Sequence, residues 1–145
     1  MGEHLWWNLS RSTAIVMTVI HASTLMLDQW VAFSPVDLLV PGVATWRGAT
    51  RTAEIGTAIG VVSAYVLLTI QATSLLRRRM SRRAWSLVHR LSFPLVFAVL
   101  IHAGWTGTDT SNRAYQATAV VLAMMTVVAT VIRLITPSRT RRAST

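Results

Sequence analysis

Four apolar runs of roughly twenty residues constrain this chain more than any other feature, because that is the helix length that crosses a hydrocarbon core about 30 Å thick. They cover about residues 5–33, 52–76, 86–105 and 115–135 of 145. A soluble single-core domain does not accommodate them. Hydrophobic side chains make up 52% of the chain, charged ones 13%, and the mean hydropathy is +0.48, far from ordinary soluble composition. The bilayer is the expected solvent. The expected fold is all-α, an integral membrane four-helix bundle over residues 1–136 followed by a basic tail, 137–145.

The breaks between runs have recognisable chemistry. Ser34-Pro35 and Pro41-Gly42 interrupt the first loop, and Val36 to Val40 between them is apolar enough to lie along the outer surface. The block RRRMSRRAW, Arg77 to Trp85, forms a short turn, and Gly104, Gly107, Thr108, Asp109 and Asn112 form the next. Pro94 inside the third run predicts a bend, tolerated in a membrane where neighbours satisfy the freed carbonyl. The first run has no basic segment before it and no small-residue cleavage site after it, so it reads as a retained helix rather than a signal peptide. Gly56 and Gly60 form a G-x-x-x-G pair that permits close helix contact in lipid, a motif common by chance and assigned no function.

The net charge of +9 comes from 14 arginines and no lysine. Nucleic-acid binding is the usual reading of such a balance, but the positions argue against it. Eleven of them, Arg11, Arg77, Arg78, Arg79, Arg82, Arg83, Arg90, Arg133, Arg139, Arg141 and Arg142, flank run ends that emerge on one side of a bilayer. Only Arg47, Arg51 and Arg113 fall on the other. The positive-inside rule then gives an N-in, C-in orientation in the cell inner (plasma) membrane, multi-pass, with the lipid bilayer as partner and no nucleic acid. Trp6, Trp7 and Trp30 stand where an aromatic belt belongs.

Cysteine is absent, which removes disulfides, thiolate metal sites and covalent haem attachment. Any metal chemistry rests on histidine. Ionisable groups within a span are functional by default, so His21, His89 and His102 demand explanation. The plain alternative is an imidazole bonded to a neighbouring carbonyl. Three embedded histidines on two helices, without cysteine or an embedded acid pair, point instead to metal or haem ligation. Haem b is the economical choice, since two neutral imidazoles on facing helices ligate iron axially while an apolar bundle holds the macrocycle. Leu5 to His21 and Ser86 to His102 are equal offsets, about 24 Å along helices running in the same direction. His21 and His102 can therefore share one haem iron near the outer face. His89 and His4 are candidates for a second haem iron near the inner end, with a depth mismatch of about 6 Å.

The stretch RRAWSLVHRLSFPLVFAVLIHAGWTGTDT, Arg82 to Thr110, resembles the core signature of the ferric-reductase-like transmembrane domain family. It shares the Trp-x-x-x-His, the His-Arg-Leu-Ser-aromatic run, the second histidine thirteen residues on and the Gly-Thr-Asp-Thr turn. NLS, His21, LMLDQW and VDLLVP, between Asn8 and Pro41, are similar to the first helix and outer loop of short actinobacterial members that lack a flavin or nicotinamide domain. The resemblance covers most of residues 5–115. It implies b-type haem held between paired histidines and electron transfer across the membrane, with His89 and His102 matching the motif histidines and His21 the outer ligand of the other helix. Short relatives often carry a histidine where this chain has Trp6, a departure that bears on the inner haem.

The reading that follows is a membrane b-type cytochrome with one or two haems, an electron-transfer subunit of a ferric-reductase-like oxidoreductase system that performs no bond-breaking chemistry of its own. An electron-donating flavoprotein or a quinol would supply it, and an external acceptor of unassigned identity would receive the electrons. The alternative from another class is a haem-free membrane scaffold or transporter subunit that keeps the fold. Arg47, Arg51 and Arg113 can pair with haem propionates or an anionic acceptor through their forked donors, and interfacial anchoring explains them equally well.

Overall fold

The computed structural model describes the backbone of residues 3–107 and 111–135, and their side chains except those of 3–12, 133 and 134. The expected tail at 137–145, Thr108 to Thr110 of the Gly-Thr-Asp-Thr turn, and the side chains of His4, Trp6, Trp7, Arg11 and Arg133 lie outside the described residues. The described chain is all-helical, and it contains three helices long and apolar enough to cross a membrane. Two compact units divide the chain, one ending at Gly107 and the other beginning at Thr108.

The first unit contains α1 (Glu3–Leu27), the short α2 (Pro35–Leu39), α3 (Arg51–Leu75), a 3₁₀ turn (Arg77–Arg79), α4 (Arg82–Arg90) and α5 (Ser92–Thr106). Helix α1 stops six residues before the expected limit at Phe33. Asp28 is the cause: its Oδ1 accepts from the Trp30 N–H at 2.6 Å and the Val31 N–H at 3.4 Å, a local turn that competes with the helical ladder. Ala32 then takes a positive φ of 46°, and its N–H bonds the Asp28 carbonyl at 3.0 Å. The described apolar part of α1, Thr13–Leu27, is shorter than the other three apolar helices.

Helix α2 starts at a complete capping box. The Ser34 Oγ accepts from the Asp37 N–H, while the Asp37 carboxylate accepts from the Ser34 N–H at 2.8 Å and the Ser34 hydroxyl at 2.6 Å. These bonds satisfy the donors that a helix start leaves open. The same bonds, the Ser34 hydroxyl first and its N–H second, hold the Asp37 carboxyl below the ordinary carboxylate range. The segment does not simply rest on the N-terminal end of α3. The Tyr65 hydroxyl donates to the Leu39 carbonyl at 2.6 Å, and Tyr65 lies about 21 Å along α3 from Arg51. Allowing about 6 Å for the phenol's lean toward the helix N-terminus, α2 dips roughly three turns down the flank of α3.

Helix α3 is the centre of the first unit, contributing buried Gly56, Thr57, Val61, Ser63 and Ile70. Its start is capped by the Thr50 hydroxyl, which accepts from the Ala53 N–H. The glycine pair meets α5. A Cβ on Gly56 would stand 2.8 Å from the Trp105 Cβ and 2.9 Å from the Thr106 Cγ2, so only glycine admits α5 this closely. The run expected to bend at Pro94 is interrupted at Leu91, where α4 gives way to α5. Proline removes one ladder donor and crowds the carbonyl four residues back. The Leu91 N–H bonds the Val88 carbonyl at 3.0 Å, and the Ser92 hydroxyl covers the His89 carbonyl at 2.7 Å.

Few side chains are buried. Among the described residues Phe33, Ala44, Val61 and Ile70 are the buried apolar ones, whereas Val62, Leu68, Leu75, Val96 and Val99 are exposed. Apolar groups on this scale belong against lipid, not water. Hydroxyls are satisfied within their own helices, as with Thr57 on the Ala53 carbonyl, Thr69 on Tyr65 and Thr106 on His102, which is how threonine is tolerated in hydrocarbon. The second unit contains α6 (Arg113–Ile135), apolar over Arg113–Ile132. Asn112 starts it, its Oδ1 accepting from the Ala114 N–H at 2.8 Å.

Candidate functional site

His102 lies on the face of α5 that packs against α3, one turn before Thr106. Its Nδ1 is 2.8 Å from the Gly56 carbonyl oxygen. A carbonyl only accepts, so Nδ1 carries a proton and donates, the tautomer that leaves the Nε2 lone pair free in a neutral ring. Gly60 forms the floor. A Cβ there would fall 2.5 Å from both Cε1 and Nδ1 of His102, so the imidazole lies directly on the glycine backbone. The G-x-x-x-G pair thus has two tasks: Gly56 offers an uncovered carbonyl and Gly60 leaves room for the ring.

His21 of α1 meets this imidazole, with ring centroids 6.1 Å apart and planes crossed at 84°. The equal offsets counted along the sequence place the two rings at a common level, and in the structure they are neighbours. His102 is half-buried and His21 is exposed at the flank of the pair.

The pair can be tested against an iron porphyrin. Metal–imidazole bonds of about 2 Å on either side of one iron put ring centroids about 6 Å apart, close to the distance here. A metal-ligating histidine ordinarily donates its other ring N–H to a carbonyl or carboxylate, which fixes the tautomer and raises ligand basicity, and the Gly56 carbonyl receives that bond from His102. Among the described residues no three His, Cys, Asp or Glu side chains gather into a metal-binding group. A macrocycle that brings four nitrogens of its own needs only two from the protein, and two are present. The ring separation and the Gly56 bond are compatible with His21 and His102 serving as a pair of ligands to one metal.

His89 is placed differently. It is exposed, and its ring stacks on Trp85 with centroids 4.6 Å apart and planes 19° from parallel. The Arg77 guanidinium carbon lies 4.5 Å from the same indole centroid. No ring contact joins His89 to another described histidine. Its expected partner, His4, lies outside the described side chains.

Of the arginines expected on the outer side, Arg51 pairs with Glu54 at 3.3 Å, an exposed bridge of small energetic value, and Glu54 also accepts from the Thr45 hydroxyl at 3.3 Å. Arg47 is exposed, and Arg113 opens α6 in the other unit. An apolar groove of about 740 Å³ runs between α3 and α5, with Val62, Ser63, Pro94, Phe97 and Ile101 in its walls and no histidine in its lining. Sequence reasoning missed the glycine seat of His102 and the aromatic partner of His89. Trp85-x-x-x-His89 spacing signals the second, since residues four apart share a helix face. Comparison with family models, curated proteins and solved structures finds no match to this chain.

Proposed function

We propose that this chain is a multi-pass membrane cytochrome of the ferric-reductase-like kind, carrying one b-type haem between His21 and His102. The observation that carries the reading is the meeting of these two imidazoles at 6.1 Å with crossed planes. When bound, haem supplies reversible one-electron storage at the iron. The chain's own residues hold and tune the site. Gly56 fixes the His102 tautomer through its carbonyl, Gly60 sets the ring's position, and in a bilayer lipid would cover the exposed flank at His21. In this reading α1 completes a four-span, N-in, C-in bundle with α3, α4–α5 and α6 in the plasma membrane. A quinol or a flavoprotein serves as electron donor, and an acceptor on the outer side takes the electrons.

One haem is favoured over two because His89 is engaged with Trp85. The rival is a haem-free scaffold, favoured by the same Gly56 bond, which already satisfies His102 as a packing residue. Optical spectra of purified protein decide between them. The expected result is a reduced-minus-oxidised spectrum of low-spin bis-imidazole haem, at one haem per chain by pyridine haemochrome. His21→Ala or His102→Ala abolishes it and His89→Ala preserves it. A colourless protein, or spectra unchanged in both of the first two variants, selects the scaffold.

A further inference from the structure

At the end of the first unit where α3 hands over to α4, the chain folds a cleft that the histidine site does not use. The 3₁₀ turn brings Arg77 and Arg78 back beside Arg82, Arg83 and Arg90 of α4, and these line an open recess of about 1130 Å³ with Trp85 in its wall. All five arginines are exposed, as interfacial anchoring requires, but anchoring alone does not account for their gathering around one recess.

The electrostatics of this recess are unbalanced in a specific way. The one salt bridge among the described residues is Arg51–Glu54 at the other end of α3, so none of the five cleft arginines is paired with a described carboxylate. Arg82 and Arg83 occupy the first turn of α4, which contains no acid. A helix N-terminus already carries a partial positive charge and favours anions, so arginines there add repulsion. Ser81 caps that turn, its Oγ accepting from the Ala84 N–H at 3.2 Å. The Trp85 Nε1–H has no acceptor and is itself buried, so it is not presented to the recess; the Arg77 guanidinium lies over the indole, a contact that leaves its in-plane donors available. The lining exposes more apolar than polar surface, Met80 and Leu87 included, and its charged side chains are all donors with no carboxylate among them. What complements it is a compact, multiply charged group that only accepts.

We propose that this cleft binds a phosphate group, presented by an anionic lipid headgroup or by a soluble phosphate compound. Guanidinium forks match phosphate oxygens in pairs, and the position at the junction of two spans is at headgroup depth. The inference is independent of haem.

The test uses the full chain in a non-ionic detergent, titrated by calorimetry with dihexanoylphosphatidylglycerol, dihexanoylphosphatidylcholine and inorganic phosphate, with bound species counted by native mass spectrometry. Saturable one-to-one binding of the anionic lipid, with the zwitterionic lipid at least tenfold weaker, assigns the site to a headgroup. Saturable binding of inorganic phosphate at comparable concentration assigns it to a soluble phosphate. Either ligand should bind about tenfold more weakly or worse to Arg78→Gln/Arg82→Gln, a loss in keeping with charge-assisted hydrogen bonds. Arg90→Gln alone, checked for unchanged helix content, should weaken it several-fold and guards against a double variant that does not fold. Arg47→Gln, at the opposite end, should leave it unchanged. Failure of both anions to saturate overturns the proposal, as does equal weakening by Arg47→Gln and Arg90→Gln, which indicates diffuse surface charge.

Discussion

At the level of single residues, the arrangement depends on Gly60 having no side chain. A Cβ there would meet two atoms of the His102 ring at 2.5 Å, and that ring is tied to the Gly56 carbonyl at 2.8 Å. Gly60→Ala must therefore push the imidazole off its seat, an overpacking cost of about 1–3 kcal/mol. The expected result is a lower thermal midpoint in detergent and loss of the bis-imidazole spectrum with His102 still present. The same substitution in a His102→Ala background should cost far less, because the two residues share one contact. Equal costs in the two backgrounds would sink this account of the glycine. Gly104→Ala is the control, since nothing lies within 4 Å of a Cβ there. Helical spacing sufficed to bring His21 and His102 to one level. It gave no reason to connect Gly60 with His102, because that contact joins positions far apart in sequence and a small-residue pair occurs in many membrane helices for packing alone.

Among the elements, α3, the α4–α5 pair and α6 begin or end within a few residues of the boundaries read from sequence, because Thr50, Ser81 and Asn112 cap them and arginines close α3. Helix α1 and the segment after it were less legible. Hydropathy continues to Phe33, but the Asp28 carboxylate turns the chain sooner by bonding two backbone donors, and hydropathy does not register such local competition. Nor did it show that α2 descends along α3, since that placement depends on the Tyr65–Leu39 bond. Tyr65→Phe deletes that bond alone and should cost about 1 kcal/mol, with faster hydrogen exchange confined to residues 34–40. Exchange unchanged there would show that α2 is held by other contacts.

The cap of α2 makes the same segment sensitive to acid. The Ser34 hydroxyl and N–H stabilise ionised Asp37 and depress its carboxyl. The ionised form is favoured by the ordered segment, so the stabilisation is fully present above the ordinary carboxyl value of about 3.9 and disappears as pH falls through the depressed one. Order in residues 34–40 should be flat across neutral pH and fall only below about pH 4. Asp37→Asn should show the acid level of protection at every pH, and a transition near neutrality in the parent protein would exclude this carboxyl as its source.

For the molecule as a whole, the number of bilayer crossings decides the depth at which His21 lies. Three helices have the length and apolarity to span. The fourth crossing depends on α1, whose described apolar part is shorter although the helix as a whole runs over 25 residues. Arginine distribution favours four crossings, since Arg11 then joins Arg77 to Arg83 on the cytoplasmic side. The chain contains no cysteine, so single introduced cysteines report sidedness without background. With an impermeant maleimide on intact cells, Thr45→Cys and Ser111→Cys should label and Met80→Cys should react only after permeabilisation. Gly2→Cys is decisive. Protection in intact cells puts α1 across the membrane and sets His21 at the depth that its ring contact with His102 requires. Labelling from outside would leave α1 on the outer surface, and two imidazoles could then meet only at the water interface. An iron centre so exposed would lack the apolar surroundings that the proposed electron carrier depends on.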